Sequence, residues 1–124
     1  MRIERIELEN WMSYPRRWAN PDEHGAEEVP PTIDFTSEQL TLITGQNGSG
    51  KSAVLEGICY ALFAKYPRGN QADAIRSGEG TATVRLYFSL PTDSGQVQYC
   101  VERLLKARAP NATLKQINED GSEI

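Results

Sequence analysis

Eight consecutive residues constrain this chain more than any others: Gly45-Gln46-Asn47-Gly48-Ser49-Gly50-Lys51-Ser52. Glycines at 45, 48 and 50 oppose a regular helix or strand, because glycine loses the most conformational freedom on ordering. The residues before them, 39–44 (QLTLIT), are nearly continuous in apolar and β-branched types, as a buried strand requires. After them, Val54, Ile58 and Leu62 recur at i, i+4 and i+8, and Leu55, Cys59 and Phe63 form the neighbouring row. Together these rows predict a helix over 51–65 with a wide apolar face, ended by Pro67 and Gly69. The unit is therefore buried strand, glycine turn, amphipathic helix, and it points to an α/β fold.

Around this unit the chain reads mostly as strands. Ile3, Ile6 and Leu8 mark a strand over 2–9, and TIDF marks a short one over 32–35. Between them, residues 15–31 hold four prolines and many charges, which predicts a surface loop. Residues 69–80 read as a loop or a short irregular helix. From Thr81 the period becomes two: Ala82, Val84, Leu86, Phe88 and Leu90 alternate with Thr81, Thr83, Arg85, Tyr87 and Ser89. PTDSG at 91–95 predicts a hairpin turn, 96–106 its return strand and 112–118 a further strand, followed by a turn at Glu119-Asp120-Gly121. No partner strand follows before Ile124, so the chain reads as a piece of something longer.

A glycine-rich turn that opens a helix has a definite chemistry. The backbone can approach a phosphate closely, so several N–H groups point inward around it. The helix adds its free N-terminal N–H groups and the positive end of its dipole. Lys51 is placed to reach the β- and γ-phosphates, and the Ser52 hydroxyl to ligate Mg²⁺. The expected ligand is a nucleoside triphosphate, ATP with Mg²⁺. A glycine turn that binds nothing is the bland alternative, and the flanking strand and helix argue against it.

Composition excludes several other classes. Thirteen basic and seventeen acidic side chains leave a net charge of −4, so the chain as a whole has no electrostatic footprint for nucleic acid. Cys59 and Cys100 are not spaced as metal ligands or as a redox pair, and read as reduced core thiols. His24 is the sole histidine, too little for a Ser/His/Asp or Cys/His constellation. The longest apolar run is far short of a membrane span, and MRIERIELEN lacks the apolar core of a signal peptide. These features suit a cytoplasmic or nuclear protein.

LTLITGQNGSGKSAVLEGICYALF, with Asn47 before the central glycine, resembles the head domain of the SMC, SbcC and Rad-fifty-type ATPases. The opening IERIELENWMSY is similar to that family's first strand and N-F-x-S-H/Y signature. AIRSGEGTATVRLYF, residues 74–88, resembles its segment of a basic residue and glycine before a strand. The three matches come in the family's order. The resemblance implies a P-loop NTPase of ABC-ATPase head type, with residues 1–124 as the N-terminal lobe of a split head carrying an antiparallel β-subdomain. Residues 45–52 would be its Walker A loop and 15–31 a surface insertion.

It further implies that Gly45, Gln46, Asn47, Gly48, Ser49, Gly50, Lys51 and Ser52 hold the nucleotide, with Ser13 and Arg76 as additional candidates. The implied partners are a C-terminal lobe carrying the signature and Walker B residues, a second head in an ATP-sandwich dimer, DNA, and an SbcD-like nuclease or other accessory subunit. No membrane partner is implied, and the location would be cytoplasmic or nucleoid-associated. Met12 stands where many relatives have Arg or Lys, and the 15–31 insertion is longer than SbcC-type proteins usually carry. Gln116, inside an expected strand, is a poor candidate for the Q-loop glutamine. Arg103, Lys106 and Arg108, with Lys65 and Arg68, are surface cations or phosphate contacts. Trp11 and Trp18 are candidates to stack on a base or on adenine, although Trp11, at a strand end, reads first as packing. The alternatives are a RecF-like or other ABC-type ATPase without a coiled coil, a small-molecule P-loop kinase, and a nucleotide-gated scaffold without hydrolysis.

Overall fold

The computed structural model describes residues 1–12, 14–16, 30–36, 51–66, 70–106 and 111–117. The expected strand at 39–44 lies outside the described residues, as do 17–29 of the expected loop and the glycines at 45, 48 and 50. The elements run β1 (Arg2–Glu9), β2 (Thr32–Asp34), α1 (Lys51–Phe63), a short 3₁₀ helix (Gln71–Ala74), β3 (Thr81–Thr92), β4 (Gly95–Lys106) and β5 (Asn111–Ile117). The strands form one sheet in the order β2-β1-β3-β4-β5, with every neighbouring pair antiparallel. The helix lies against one face of this sheet.

Strand β1 carries a device that its sequence alone does not announce. Ile3 and Ile6 are an odd number of positions apart, so in a regular strand they would face opposite sides. The pairing with β3 shifts between Ile3 and Arg5: Ile3 opposes Phe88 and Arg5 opposes Tyr87. Glu4 is the extra residue of a β-bulge, and both isoleucines reach the helix side. On its other side the Glu4 carbonyl accepts the Phe35 N–H at 2.7 Å, continuing the antiparallel pairing with β2.

On the helix side, Ile6, Leu8, Ala82, Val84, Leu86, Phe88 and Leu105 pack with Trp11, Ala53, Val54, Tyr60, Ala61 and Ala74. The period of two in β3 sends Ala82, Val84, Leu86 and Phe88 inward as expected, while Leu90 at the hairpin end is exposed. The wide apolar helix face needs correction: Leu55 is 60% and Phe63 65% exposed. A single sheet covers one side of a helix, and the Leu55–Phe63 row points away from it. The loop expected over 15–31 is also less peripheral at its end. Pro31 is fully buried, and its carbonyl accepts the Leu8 N–H at 2.8 Å.

Gly57 sets the closeness of α1 to the sheet. A methyl group there would stand 2.8 Å from Leu8 Cδ2 and 3.3 Å from Ile6 Cδ1. At its other end, α1 stops before Pro67 and Gly69 are reached. Ala64 adopts φ 58°, in the left-handed region, and its N–H donates to the Tyr60 carbonyl at 2.8 Å. That position usually belongs to glycine. Arg103 on β4 donates from Nε to the Ala61 carbonyl at 2.8 Å. This carbonyl is among the last four of the helix, which have no helical partner.

The opposite face of the sheet is charged. The register places Arg85 directly between Glu7 on β1 and Glu102 on β4. Its Nε donates to Glu102 Oε2 at 2.6 Å, and Nη1 lies 3.4 Å from Glu9 Oε1 and 3.9 Å from Glu7 Oε2. Burial works against the Arg85 charge, but the hydrogen bond and charge of Glu102, with Glu9 and Glu7, more than offset it, so its pKa is raised. Arg5 lies 3.8 Å over the Tyr87 ring. Among these groups Cys100 is buried, and neither cysteine forms a disulfide. Burial pushes the Cys100 thiol from 9.0 up to about 11.

Two substitutions test the helix account with opposite signs. Gly57→Ala gains up to ~1 kcal/mol of helix propensity but overpacks the Leu8 contact at about 1–3 kcal/mol, so a net loss of stability is expected. Ala64→Gly relieves left-handed strain and is expected to gain about 1 kcal/mol. Urea unfolding of both variants decides; a gain from Gly57→Ala would show that α1 has room to move.

The thiol gives a pH prediction. Below pH 9 Cys100 is protonated in both folded and unfolded states and contributes no slope. Between 9 and about 11 the unfolded state releases the proton first, so stability falls as pH rises through this window. Cys100→Ser is expected to flatten that part of the stability curve, and an unchanged slope would assign it to other groups.

Candidate functional site

Of the candidate residues, the first turn of α1 holds Lys51 and Ser52. Lys51 is its first residue, Ser52 follows and is exposed, and Ala53 turns inward and is buried. Beneath this turn lies Trp11, with no exposed surface. Its indole Nε1 donates to the Ala53 carbonyl at 2.9 Å. The ring is flanked by Tyr60, with centroids 5.6 Å apart and tilted, and by Tyr66, edge-on at 5.8 Å.

The backbone around Trp11 is shaped to put it there. Asn10 and Met12 on either side both take φ 52°, in the left-handed region. Asparagine tolerates this conformation; methionine does so at a cost. The chain is held in this shape by the segment before β3. The Met12 N–H donates to the Ala74 carbonyl at 2.7 Å, and the Asn10 carbonyl accepts the Arg76 N–H at 2.7 Å. Trp11 and Ile75 form an isolated antiparallel bridge between these contacts. Residues 10–12, 51–53 and 74–76, which are distant in sequence, therefore converge.

Of the expected site residues, Gly45, Gln46, Asn47, Gly48, Ser49, Gly50 and Ser13 lie outside the described residues. Ser52 presents its exposed position at the start of the helix. Arg76 is half-buried beside the Asn10–Met12 segment, with its backbone N–H committed to Asn10. Arg103 turns out to serve the helix end. Besides its bond to Ala61, its guanidinium lies 5.8 Å over the Tyr60 ring. Lys65 and Lys106 are exposed, while Arg68 and Arg108 lie outside the described residues. Gln116 is an exposed residue of β5.

Clefts lie both near this arrangement and at the far end of α1. A polar one of about 190 Å³ is lined by Glu9, Asn10, Arg16, Glu79, Thr81 and Thr83. A more apolar groove of about 380 Å³ runs between α1 and β5, with Leu62, Phe88, Val101, Arg103 and Leu114 among its walls. Burial raises the pKa of Tyr60 despite the nearby Arg103 charge, and raises that of Tyr14. Among the described residues no group of three His, Cys, Asp or Glu side chains is placed to hold a metal. No helix among them is long and apolar enough to cross a membrane.

The sequence reading offers Trp11 as packing or as a stacking group for a base; with no exposed surface it packs, and its donor is not evident from the sequence. The available signal was Gly57: a glycine in a helix interior costs about 1 kcal/mol relative to alanine, so its presence asks for a close neighbour.

Comparison with known proteins adds to this geometry. The family described as "AAA domain" matches residues 5–123. A DNA double-strand break repair Rad50 ATPase of Saccharolobus solfataricus is 36% identical over 97 residues, which is 78% of this chain and 10% of that protein. The SMC head domain from Thermotoga maritima superposes with a TM-score of 0.59 at 25% identity, covering 100% of this chain and 39% of that one. The recombination mediator protein RecF, solved with ATP, shares the fold at a TM-score of 0.67 and 19% identity, over 99% of this chain and 27% of the other. The chain thus spans about a tenth of the length of the curated relatives it matches.

Proposed function

This chain belongs to the AAA domain family, as an N-terminal segment of an SMC/Rad50-type ATPase head, and we propose that it supplies the triphosphate-binding half of that head. The observation that carries the reading is the junction at Lys51. The pattern G-x-x-x-x-G-K-S runs directly into α1, with Lys51 as the first helical residue and Ser52 exposed on the first turn. Backbone N–H groups of residues 45–50 and of the helix start would surround the β-phosphate. Lys51 would neutralise charge on the β- and γ-phosphates. Mg²⁺ usually keeps water and phosphate oxygens as most of its ligands, so one exposed hydroxyl, that of Ser52, is a fitting protein contribution. When bound, the ion would offset phosphate charge. Ser13 and Arg76 are the further candidates near the nucleotide.

Hydrolysis needs a base and a signature loop that we place in a C-terminal lobe. The exposed Leu55 and Phe63 support such a partner, because they leave apolar area uncovered on the helix that bears Lys51. In the proposed assembly two heads sandwich two ATP molecules, and binding and hydrolysis close and open the pair. The assembly acts on DNA in repair or tethering, with an SbcD-like nuclease or other accessory subunit, in a cytoplasmic, nucleoid or nuclear setting. A RecF-like ATPase without a coiled coil is the second reading, favoured by the fold match to RecF.

Lys51→Ala in the complete head is expected to weaken binding of a fluorescent ATP analogue by tenfold or more, about 1.4 kcal/mol or above, without unfolding. Equal affinity would remove Lys51 from the site. Ser52→Ala is expected to raise the Mg²⁺ concentration needed for half-maximal binding.

Steady-state phosphate release separates the split-head reading from a self-contained enzyme. Residues 1–124 alone are expected to show negligible turnover, and co-expression with the C-terminal lobe to restore it. Robust turnover by residues 1–124, abolished by Lys51→Ala, would favour a self-contained P-loop enzyme.

A further inference from the structure

The bond between Trp11 and Ala53 joins β1 to the helix two residues beyond Lys51. In a regular helix the Ala53 carbonyl accepts the N–H of residue 57. Trp11 gives it a second donor at 2.9 Å. The approach is possible because Gly57 leaves this flank of the helix bare. A Cβ at residue 57 would press on Leu8 at 2.8 Å and Ile6 at 3.3 Å and so lift the helix from β1, while meeting the indole Nε1 at an ordinary 3.6 Å.

An indole N–H is a donor only, and when buried it requires an acceptor. Trp11 has no exposed surface. The position of its ring is set from outside the first turn of the helix. The Met12–Ala74 and Asn10–Arg76 hydrogen bonds fix its backbone, and Tyr66, beyond the end of α1, stands edge-on to the ring, while Tyr60 meets it from farther along α1 itself. Trp11 is therefore the fixed member of the pair, and the first turn of α1 is the member it locates. The N-F-x-S-H/Y signature that this segment resembles has phenylalanine at this place, and a phenyl ring has no N–H to give.

We propose that Trp11 is a positioning residue. Its indole N–H sets the height and rotation of the first turn of α1, and so the placement of Lys51 and Ser52 against the triphosphate and Mg²⁺. The inference rests on the nucleotide reading above. It ties the end of β1 and the 74–76 segment to the phosphate-binding helix through one hydrogen bond.

The test uses the complete protein that carries this chain, in four forms: unsubstituted, Trp11→Phe, Ile117→Ala and Lys51→Ala. Ile117 is buried on the edge strand β5, away from α1, and serves as a control for general destabilisation. Affinity for a fluorescent ATP analogue, its Mg²⁺ dependence and the urea midpoint are measured for each. Trp11→Phe is expected to bind about three- to tenfold more weakly, the loss typical of one hydrogen bond, and to need more Mg²⁺. Ile117→Ala is expected to lower the urea midpoint and leave affinity and Mg²⁺ dependence unchanged.

Affinity equal to the unsubstituted protein in folded Trp11→Phe, while Lys51→Ala loses binding, overturns the positioning role alone. So does an equal loss in Ile117→Ala. Failure of the unsubstituted protein to bind the analogue overturns the nucleotide reading and this inference with it. Where Trp11→Phe does not fold, 3-benzothienylalanine at position 11 keeps the two-ring volume and removes only the donor. Unchanged binding with that residue also overturns the proposal.

Discussion

The close approach of α1 to β1 at Gly57 is the constraint on which the rest of the described structure depends. With 2.8 Å between an imagined Cβ and Leu8 Cδ2, the helix backbone rests on the strand's side chains with no layer between. That intimacy buries Ile6 and Leu8 completely, brings the Ala53 carbonyl within reach of Trp11 and sets the distance over which Arg103 spans to Ala61. The helix is thus gripped at two carbonyls eight residues apart, by an indole from the end of β1 and a guanidinium from β4. Two side-chain donors of this kind locate a helix more narrowly than apolar contact does, because hydrogen bonds are directional and hydrophobic burial is not.

A helix located this narrowly suits a phosphate site. In the proposed site, Lys51 and Ser52 would have to be placed closely against the phosphate and Mg²⁺ they are proposed to meet. Among the described residues the sheet that carries the helix is wholly antiparallel, so it can leave one face in water. That face is spent on the Arg85 ladder with Glu7, Glu9 and Glu102. These pairs are half-buried, so desolvation offsets part of their attraction and their net contribution is modest, roughly 1 kcal/mol each. Their larger effect is to fix register, since a slip of one residue would carry Arg85 to the apolar side. The structure therefore divides its work: one face holds the helix, and the other keeps the strands aligned.

Much of this was legible in the chain. The alternation of Ala82, Val84, Leu86 and Phe88 specified β3 and its inner face, because a strand has a side-chain period of two and water penalises the wrong assignment. The hairpin to β4 and the strand β5 followed from turn residues. The helix began at Lys51 as its glycine-rich approach required. These features are local: each depends on a period or a turn within a dozen residues. The phosphate-binding pattern is of the same sort, since its glycines, lysine and serine are contiguous.

Other features required the folded chain. The inward turn of both Ile3 and Ile6 needed a bulge at Glu4, which only the pairing with β3 reveals. The apolar row of Leu55, Cys59 and Phe63 looked like core by its spacing, yet its ends are in solvent, because which side of a helix is covered is decided by what lies beneath it. Arg103 looked like a surface cation until the helix end arrived beside it. Trp11 was recognisable as a strand-end packing residue, but its acceptor lies 42 residues away in sequence. The sequence by itself determined the described strands and α1, the inner face of β3 and the contiguous G-x-x-x-x-G-K-S pattern, because those depend on local periodicity and on residues adjacent in the chain. Only the tertiary structure decided how the first turn of α1 is held, because a hydrogen bond between distant residues exists only once packing has brought donor and acceptor together.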